Sequence, residues 1–217
     1  MIDTSYSNIA NNFLGVVDLS GGNSVTNLPG KFLVSSPYSK MNDMFDKSII
    51  YILDHSSRGT VGVIVNRMIN KIPFNKIVDI LKDKELYVSD DVAEDNYTSL
   101  SLYAGGPVER DRGLVLHTND YKSNALFGSE TEFSVSSSMD IFKALLLNKG
   151  PKKTLFVMGY TLWEKGQLEQ EIENNFWNVI DARGDIIFME DNNAKWASLT
   201  SYFNTDLSVF APSSGRC

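Results

Sequence analysis

Two stretches of the chain carry residues whose types and spacing suit chemistry. The first is Ala104-Gly105-Gly106-Pro107-Val108, followed by Arg112-Gly113-Leu114-Val115-Leu116-His117. Adjacent glycines after a strand allow positive φ and let backbone N–H groups approach a ligand closely, and the proline then fixes the exit. A tight turn uses the same residues. In the following strand Val115 and His117 share one face while Leu114 and Leu116 share the other. His117 therefore sits at a strand end, either as a general base or as a histidine hydrogen-bonded to backbone.

The second stretch runs from Gly159 to Trp177 and contains a helical segment, Lys165 to Asn175, with Leu168 and Ile172 on one face. Gln167, Glu171 and Asn175 fall at i, i+4 and i+8 and make a polar stripe bordering that face, with Glu169, Gln170 and Glu173 turned to solvent. A carboxylate at the edge of a core needs partners, which here are backbone N–H groups, Arg112 or a ligand. Two readings follow. Either His117, Arg112 and Glu171 converge around the Gly105-Gly106 turn as an enzyme site, or each belongs to a structural hydrogen-bond network.

Other chemistries lack their motifs. The chain has no G-x-x-x-x-G-K-[ST], no G-x-G-x-x-G and no G-x-S-x-G. Its one cysteine, Cys217, cannot form an intrachain disulfide, and without a strand-to-helix setting a thiol enzyme is not expected. The two histidines, His55 and His117, lie far apart without a local ligand pattern, so no metal and no cofactor are expected. His55 remains a candidate ligand-binding residue beside its strand.

Length, composition and charge bound the rest. The chain has 217 residues, suiting one domain, and a formal charge of −7. Nucleic-acid affinity is supplied by clustered Lys and Arg, so direct nucleic-acid binding is not expected. No window approaches the roughly 18 apolar residues of a membrane span, and no basic region followed by an apolar run opens the chain. The reading is a cytoplasmic protein.

The elements that must position the candidate residues follow from periodicity. Residues 1–27, rich in Asn, Ser and Gly, read as a poorly ordered arm. Lys31–Ser35, Ser48–Leu53, Thr60–Val65, Leu100–Ala104, Gly113–His117, Phe133–Ser136 and Thr154–Met158 read as strands, the second and third forming a hairpin through Arg58-Gly59. Pro73 opens a helix carrying Phe74, Ile77, Val78 and Leu81, and Ser138 caps another carrying Met139, Phe142, Leu145 and Leu146. Ser89 to Asn96 reads as a solvated acidic loop. Trp177–Ile180 and Asp185–Met189 read as a second hairpin around Arg183-Gly184, and Asn193 as the cap of a last helix with Trp196, Leu199, Thr200 and Phe203. A tail begins at Asn204. Strands outnumber helices, so the expected fold is a single α+β domain over 28–203, its mixed, largely antiparallel sheet flanked by about four helices. Helix-turn-helix is not encoded, because a strand separates the helices at 139–148 and 165–175.

Four blocks resemble the YqgE/AlgH family of bacterial proteins. They are Gly30-Lys31-Phe32-Leu33 with Pro37, Phe45 and Ser48; Tyr51 to His55 with Gly59, Gly62 and Val65-Asn66; Gly105-Gly106-Pro107-Val108 with Arg112-Gly113 to His117; and Gly159-Tyr160, Trp163 and Gly166 to Glu171 with Asn175 and Trp177. The chain departs from the family pattern at Thr161-Leu162, where Ala-Gly is usual, at Glu164, where Gly is usual, at Met68, where Pro is usual, and at Ser36, where Met is usual. The resemblance implies an α+β domain with a branched or partly closed sheet and brings no established catalytic mechanism. Family members are commonly labelled transcriptional regulators. The resemblance thus implies a non-enzymatic regulatory or binding protein, which on the charge balance acts through a protein or small-molecule partner.

Overall fold

The apolar residues of the first strands face two separate cores. β1 (Lys31–Ser35) sets Phe32 and Val34 on one face and Leu33 on the other, while β2 (Ile49–Ser56) sets Ile49, Tyr51 and Leu53 against Ile50 and Ile52. β3 (Gly59–Ile64) continues with Val61 and Val63 against Ile64. All of these are buried, which is why the strands read as unbroken apolar runs. One core stacks Phe32, Tyr51, Phe133 and Phe188 edge to face at centroid distances of 6.2, 5.9 and 5.7 Å. The other gathers Ile50, Ile52, Ile64, Trp163, Leu168 and Trp177.

The computed structural model describes residues 28–38, 41–73, 76, 99–121, 125–127, 131–137, 141, 144–145, 147 and 149–207. The remaining strands are β4 (Met68–Pro73), β5 (Ser99–Ala104), β6 (Val108–Thr118), β7 (Phe133–Ser137), β8 (Thr154–Glu164) and β9 (Trp177–Asp181). Nine strands form one open mixed sheet in the order β4-β5-β8-β3-β2-β1-β9, with β6 and β7 branching from β8. Only the β5–β8 pairing is parallel. The first half of β8 pairs β6 and β5, and its last four residues pair β3.

The branch lies at Gly159, which adopts φ 72°. There the chain after β5 packs directly on β8. The Gly105 amide donates to the Met158 carbonyl at 2.8 Å, and the Gly105 carbonyl accepts from Ile64 N at 2.8 Å. A Cβ on Gly105 would stand 2.2 Å from the Gly159 oxygen, and one on Gly106 would stand 2.1 Å from the Tyr160 oxygen. Neither glycine has positive φ, so their role is close approach of backbone to backbone.

Three helices have defined bounds among the described residues, against the four expected: α1 (Gln167–Glu173), α2 (Gly184–Ile187) and α3 (Asn192–Leu207). Several expectations are corrected. Pro73 does not open a helix but ends β4, a strand the periodicity missed, where its absent N–H is tolerated at an edge. Of the helix expected after it only Lys76 is described, and it is helical. The second hairpin does not form: β9 pairs β1 over five residues, and Gly184–Ile187 turns into α2 so that both Ile186 and Ile187 reach the core. The cap of α3 is Asp191, whose Oδ1 accepts from Asn193 N and Ala194 N at 3.0 Å, rather than Asn193. That helix runs to Leu207, into the segment read as a tail. Residues 1–27, the acidic segment 89–96 and the Ser138 cap lie outside the described residues; Ile141, Ala144 and Leu145 of the helix after Ser138 are helical and buried.

The branch supplies a contrast between two glycines. Gly106→Ala is expected to lower the unfolding free energy by about 3 kcal/mol or more, because the backbone it meets cannot move aside. Gly166→Ala, at φ 79° with nothing within 4 Å, is expected to cost about 1 kcal/mol of backbone strain. Urea denaturation followed by circular dichroism measures both, and equal losses would contradict this account.

Candidate functional site

Both histidines sit beside hydroxyls, and the folding of neighbouring strands explains each pair. In the β6–β7 ladder His117 lies opposite Ser134, and its side chain reaches the next hydroxyl along β7. His117 is fully buried; its Nε2 is 2.9 Å from Ser136 Oγ and its Nδ1 is 2.9 Å from the Thr118 carbonyl oxygen. Both ring nitrogens are thus engaged inside the fold. His55 lies opposite Thr60 in the β2–β3 hairpin, its Nδ1 2.7 Å from Thr60 Oγ1 and its Nε2 3.7 Å from Glu169 Oε1. Hydroxyl, imidazole and carboxylate in that order resemble a nucleophile–base arrangement. Thr60 is 1% exposed, however, so its hydroxyl has no approach for a substrate. Glu169, expected in solvent, turns back to His55.

Glu171 is a structural clamp. Its Oε2 accepts from Trp163 Nε1 at 2.9 Å and Trp177 Nε1 at 2.7 Å, and its Oε1 accepts from Gln167 Nε2 at 3.0 Å. The two indoles meet edge to face at 6.1 Å. Gln167 in turn accepts from the Glu164 amide at 3.0 Å and ties the helix start to the end of β8. Asn175 closes the same helix in the left-handed region, φ 57°, with its amide on the Ile172 carbonyl at 2.9 Å. Of the polar stripe read from the sequence, Glu171 turns inward to the two tryptophans, while Gln167 and Asn175 stay exposed.

Arg112 occupies a third place. The β6–β8 register jumps between Val108↔Tyr160 and Gly113↔Met158, and in that bulge Arg112 Nη1 donates to Glu109 Oε2 at 3.0 Å. Glu109 has φ 44°, a backbone state that carries strain in a non-glycine residue. Burial and the neighbouring Glu109 carboxylate push the Tyr160 phenol well above its ordinary range.

The predicted trio does not meet. His117 lies opposite Thr154 at one end of β8, while Glu171 holds Trp163, nine residues further along the strand, a span of up to about 30 Å. The glycines fill a backbone contact rather than cradle a ligand. Among the described residues no group of three or more His, Cys, Asp or Glu side chains is placed to hold a metal ion.

One concave surface lies away from all of these candidate residues. A cleft of about 420 Å³ runs between β4, β5, the start of β8 and residues 188–190; its walls include Met68, Lys71, Ser101, Tyr103, Phe156, Phe188 and Glu190. Behind Tyr103 lies Lys195, 0% exposed, whose Nζ donates to the Val65 and Ile187 carbonyls at 2.9 Å each and stands 5.0 Å from the Tyr103 ring centroid. Burial pulls the Lys195 ammonium down to about 8. Burial pushes the Tyr103 phenol up, Asn192 opposing the rise and Glu190 adding to it. Sequence reasoning missed this lysine, yet its place four residues before the core residue Leu199 signalled a buried position.

A fold of this kind, an open branched sheet with its polar side chains spent on internal clamps, defines a small α+β module, and comparison with known proteins places it. The DUF179 family, described as AlgH-like, matches residues 32–208. The UPF0301 protein RP032 of Rickettsia prowazekii (strain Madrid E) is 36% identical over 190 residues, covering 88% of this chain and 96% of that one. A UPF0301 protein of Rickettsia canadensis (strain McKiel) is 35% identical over the same length. The solution structure of the AlgH protein from Pseudomonas aeruginosa is similar with a TM-score of 0.65 at 27% identity, covering 91% of this chain and 100% of that one. A crystal structure of a Corynebacterium diphtheriae protein, DIP2367, shares the fold with a TM-score of 0.58 at 20% identity. The chain belongs to the AlgH-like family.

Two expectations follow from the buried polar groups. Glu171→Gln weakens the clamp on the two indoles and is expected to lower stability by about 1–3 kcal/mol, with a shifted tryptophan emission in the folded state; denaturation followed by fluorescence reads both, and unchanged stability would contradict the clamp. For Lys195, the ammonium is charged in folded and unfolded chains below pH 8, so its burial is a net cost there. Between about 8 and 10.5 the folded chain releases the proton while the unfolded chain keeps it, and stability rises with pH. From pH 7 to 9.5 the wild type is expected to gain about 1–2 kcal/mol relative to Lys195→Met. Parallel pH profiles for the two proteins would count against it.

Proposed function

We propose that this protein is a non-enzymatic binding or regulatory module that works through a protein or small-molecule partner in the cytoplasm, and that any effect on transcription is reached without direct contact with DNA. The observation that carries this reading is the engagement of His117: both ring nitrogens are held by Ser136 and Thr118 inside the fold. Glu171 supports it in the same way, because three donors already occupy its oxygens. The charge of −7 supports action away from the phosphate backbone. Among the described residues, no helix is long and apolar enough to cross a membrane.

The competing reading is an enzyme that uses His117, Arg112 and Glu171, and it needs the three to face one pocket. A panel of chromogenic ester, phosphoester, amide and glycoside substrates tests the two. The binding-module reading expects no turnover above a protein-free control. Turnover that disappears in His117→Ala or Glu171→Ala while those variants stay folded would overturn it.

A further inference from the structure

β4 is the terminal strand of the sheet path among the described residues, hydrogen-bonded to β5 along one side. From Arg67 to Val78 there are three basic residues, Arg67, Lys71 and Lys76, and no carboxylate, within a protein of net charge −7. Met68 and Ile69 are 47% and 57% exposed. The register passes from Met68↔Tyr103 to Asn70↔Leu102, which leaves Ile69 as an extra residue on β4. Such a bulge resets the alternation of faces, so Met68 and Lys71 both line the cleft over Tyr103 and Phe156. Glu190 is the one carboxylate among the residues lining that cleft.

An edge strand presents a row of backbone N–H and C=O groups that a further strand can pair, and the side chains beside it decide which strand fits. Lysine, a bulge and a terminal proline are also the devices by which an edge avoids indiscriminate pairing, and β4 carries all three. Protection alone does not call for two large apolar side chains, Met68 and Ile69, left in water. Basic charge, apolar contact and edge backbone together select an occupant of complementary kind.

We propose that the β4 edge is a docking site for an extended segment of a partner polypeptide in which acidic and apolar residues alternate. The segment adds as a strand beside β4, its carboxylates meet Lys71, and its apolar side chains pack on Met68 and Ile69. This inference rests on the reading of the protein as a partner-dependent module and names the class of partner.

The test titrates the full-length protein with a fluorescein-labelled peptide of about ten alternating Glu and Val residues, followed by anisotropy and by amide chemical-shift mapping. Two controls accompany it: the same peptide N-methylated at alternate residues, which keeps charge and side chains but cannot add as a strand, and a Lys/Val peptide. The acidic peptide is expected to bind at least about tenfold more tightly than either control, with shifts centred on 68–72. Lys71→Glu, at an exposed position, is expected to weaken it about tenfold and to favour the Lys/Val peptide. Equal binding of the N-methylated peptide, indifference to Lys71→Glu, or shifts centred elsewhere would overturn the proposal. So would a concentration-dependent dimer through β4, which would make a second copy the occupant. Failure of the peptide leaves the substrate panel's outcome untouched, whereas turnover in that panel sinks the module reading whatever the peptide does.

Discussion

The approach of two backbones at the β8 branch is the constraint on which the rest of the structure depends. Gly105 and Gly106 lie against Gly159 and Tyr160 so closely that no Cβ fits, and through Gly105 the end of β3 is hydrogen-bonded to the same junction as β8. One strand can then serve β5, β6 and β3 in turn. That arrangement places one core between the sheet and the residues of α2 and α3, and a second beneath α1. The branch is therefore what separates the His117 region from the Glu171 region along β8, and what opens the cleft beside β4 and β5.

Buried polar groups then lock the elements in place. Glu171 joins α1 to β8 and β9 through two indole N–H groups, and Lys195 joins α3 to the chain after β3 and to α2 through two carbonyls. These are charged groups used as connectors, and their removal leaves donors or acceptors unsatisfied in surroundings that water does not reach. Two carbonyls and an aromatic ring meet the buried lysine ammonium, so its charge is an energetic cost near neutral pH that the fold carries in exchange for a defined seat for α3.

Function follows from what these commitments leave over. Of the residues that looked chemical by type, His117 and Glu171 are spent on internal hydrogen bonds, while the β4 end of the sheet carries the exposed Met68, Ile69 and Lys71 beside a cleft. On the proposed reading, a module of this kind acts by what it holds. A net charge of −7 opposes a phosphate backbone, and the basic stretch from Arg67 to Val78 includes β4.

Much of the fold was legible in the residues themselves. Unbroken β-branched runs such as Ser48–Leu53 and Thr60–Val65 state that a strand is covered on both faces, and the spacing of Leu168, Ile172, Leu199 and Thr200 states which helix faces are buried, because burial pattern is a local property of side-chain period. The blocks from Gly105 to His117 and from Gly159 to Trp177 were enough to mark the family. What period cannot express is partner choice. Whether Trp177–Asp181 pairs with the segment after it or with β1, whether Glu171 faces a ligand or two tryptophans, and whether two glycines cradle an anion or another backbone are settled by residues distant in sequence. β4 escaped notice because its bulge breaks the alternation and its edge position leaves it without a buried face to read. Local sequence thus determined most of the strands, the helices that carry Leu168 and Leu199, and the faces they bury; only tertiary contacts decided β4, the turn of Gly184–Ile187 into α2, and which polar side chains were consumed.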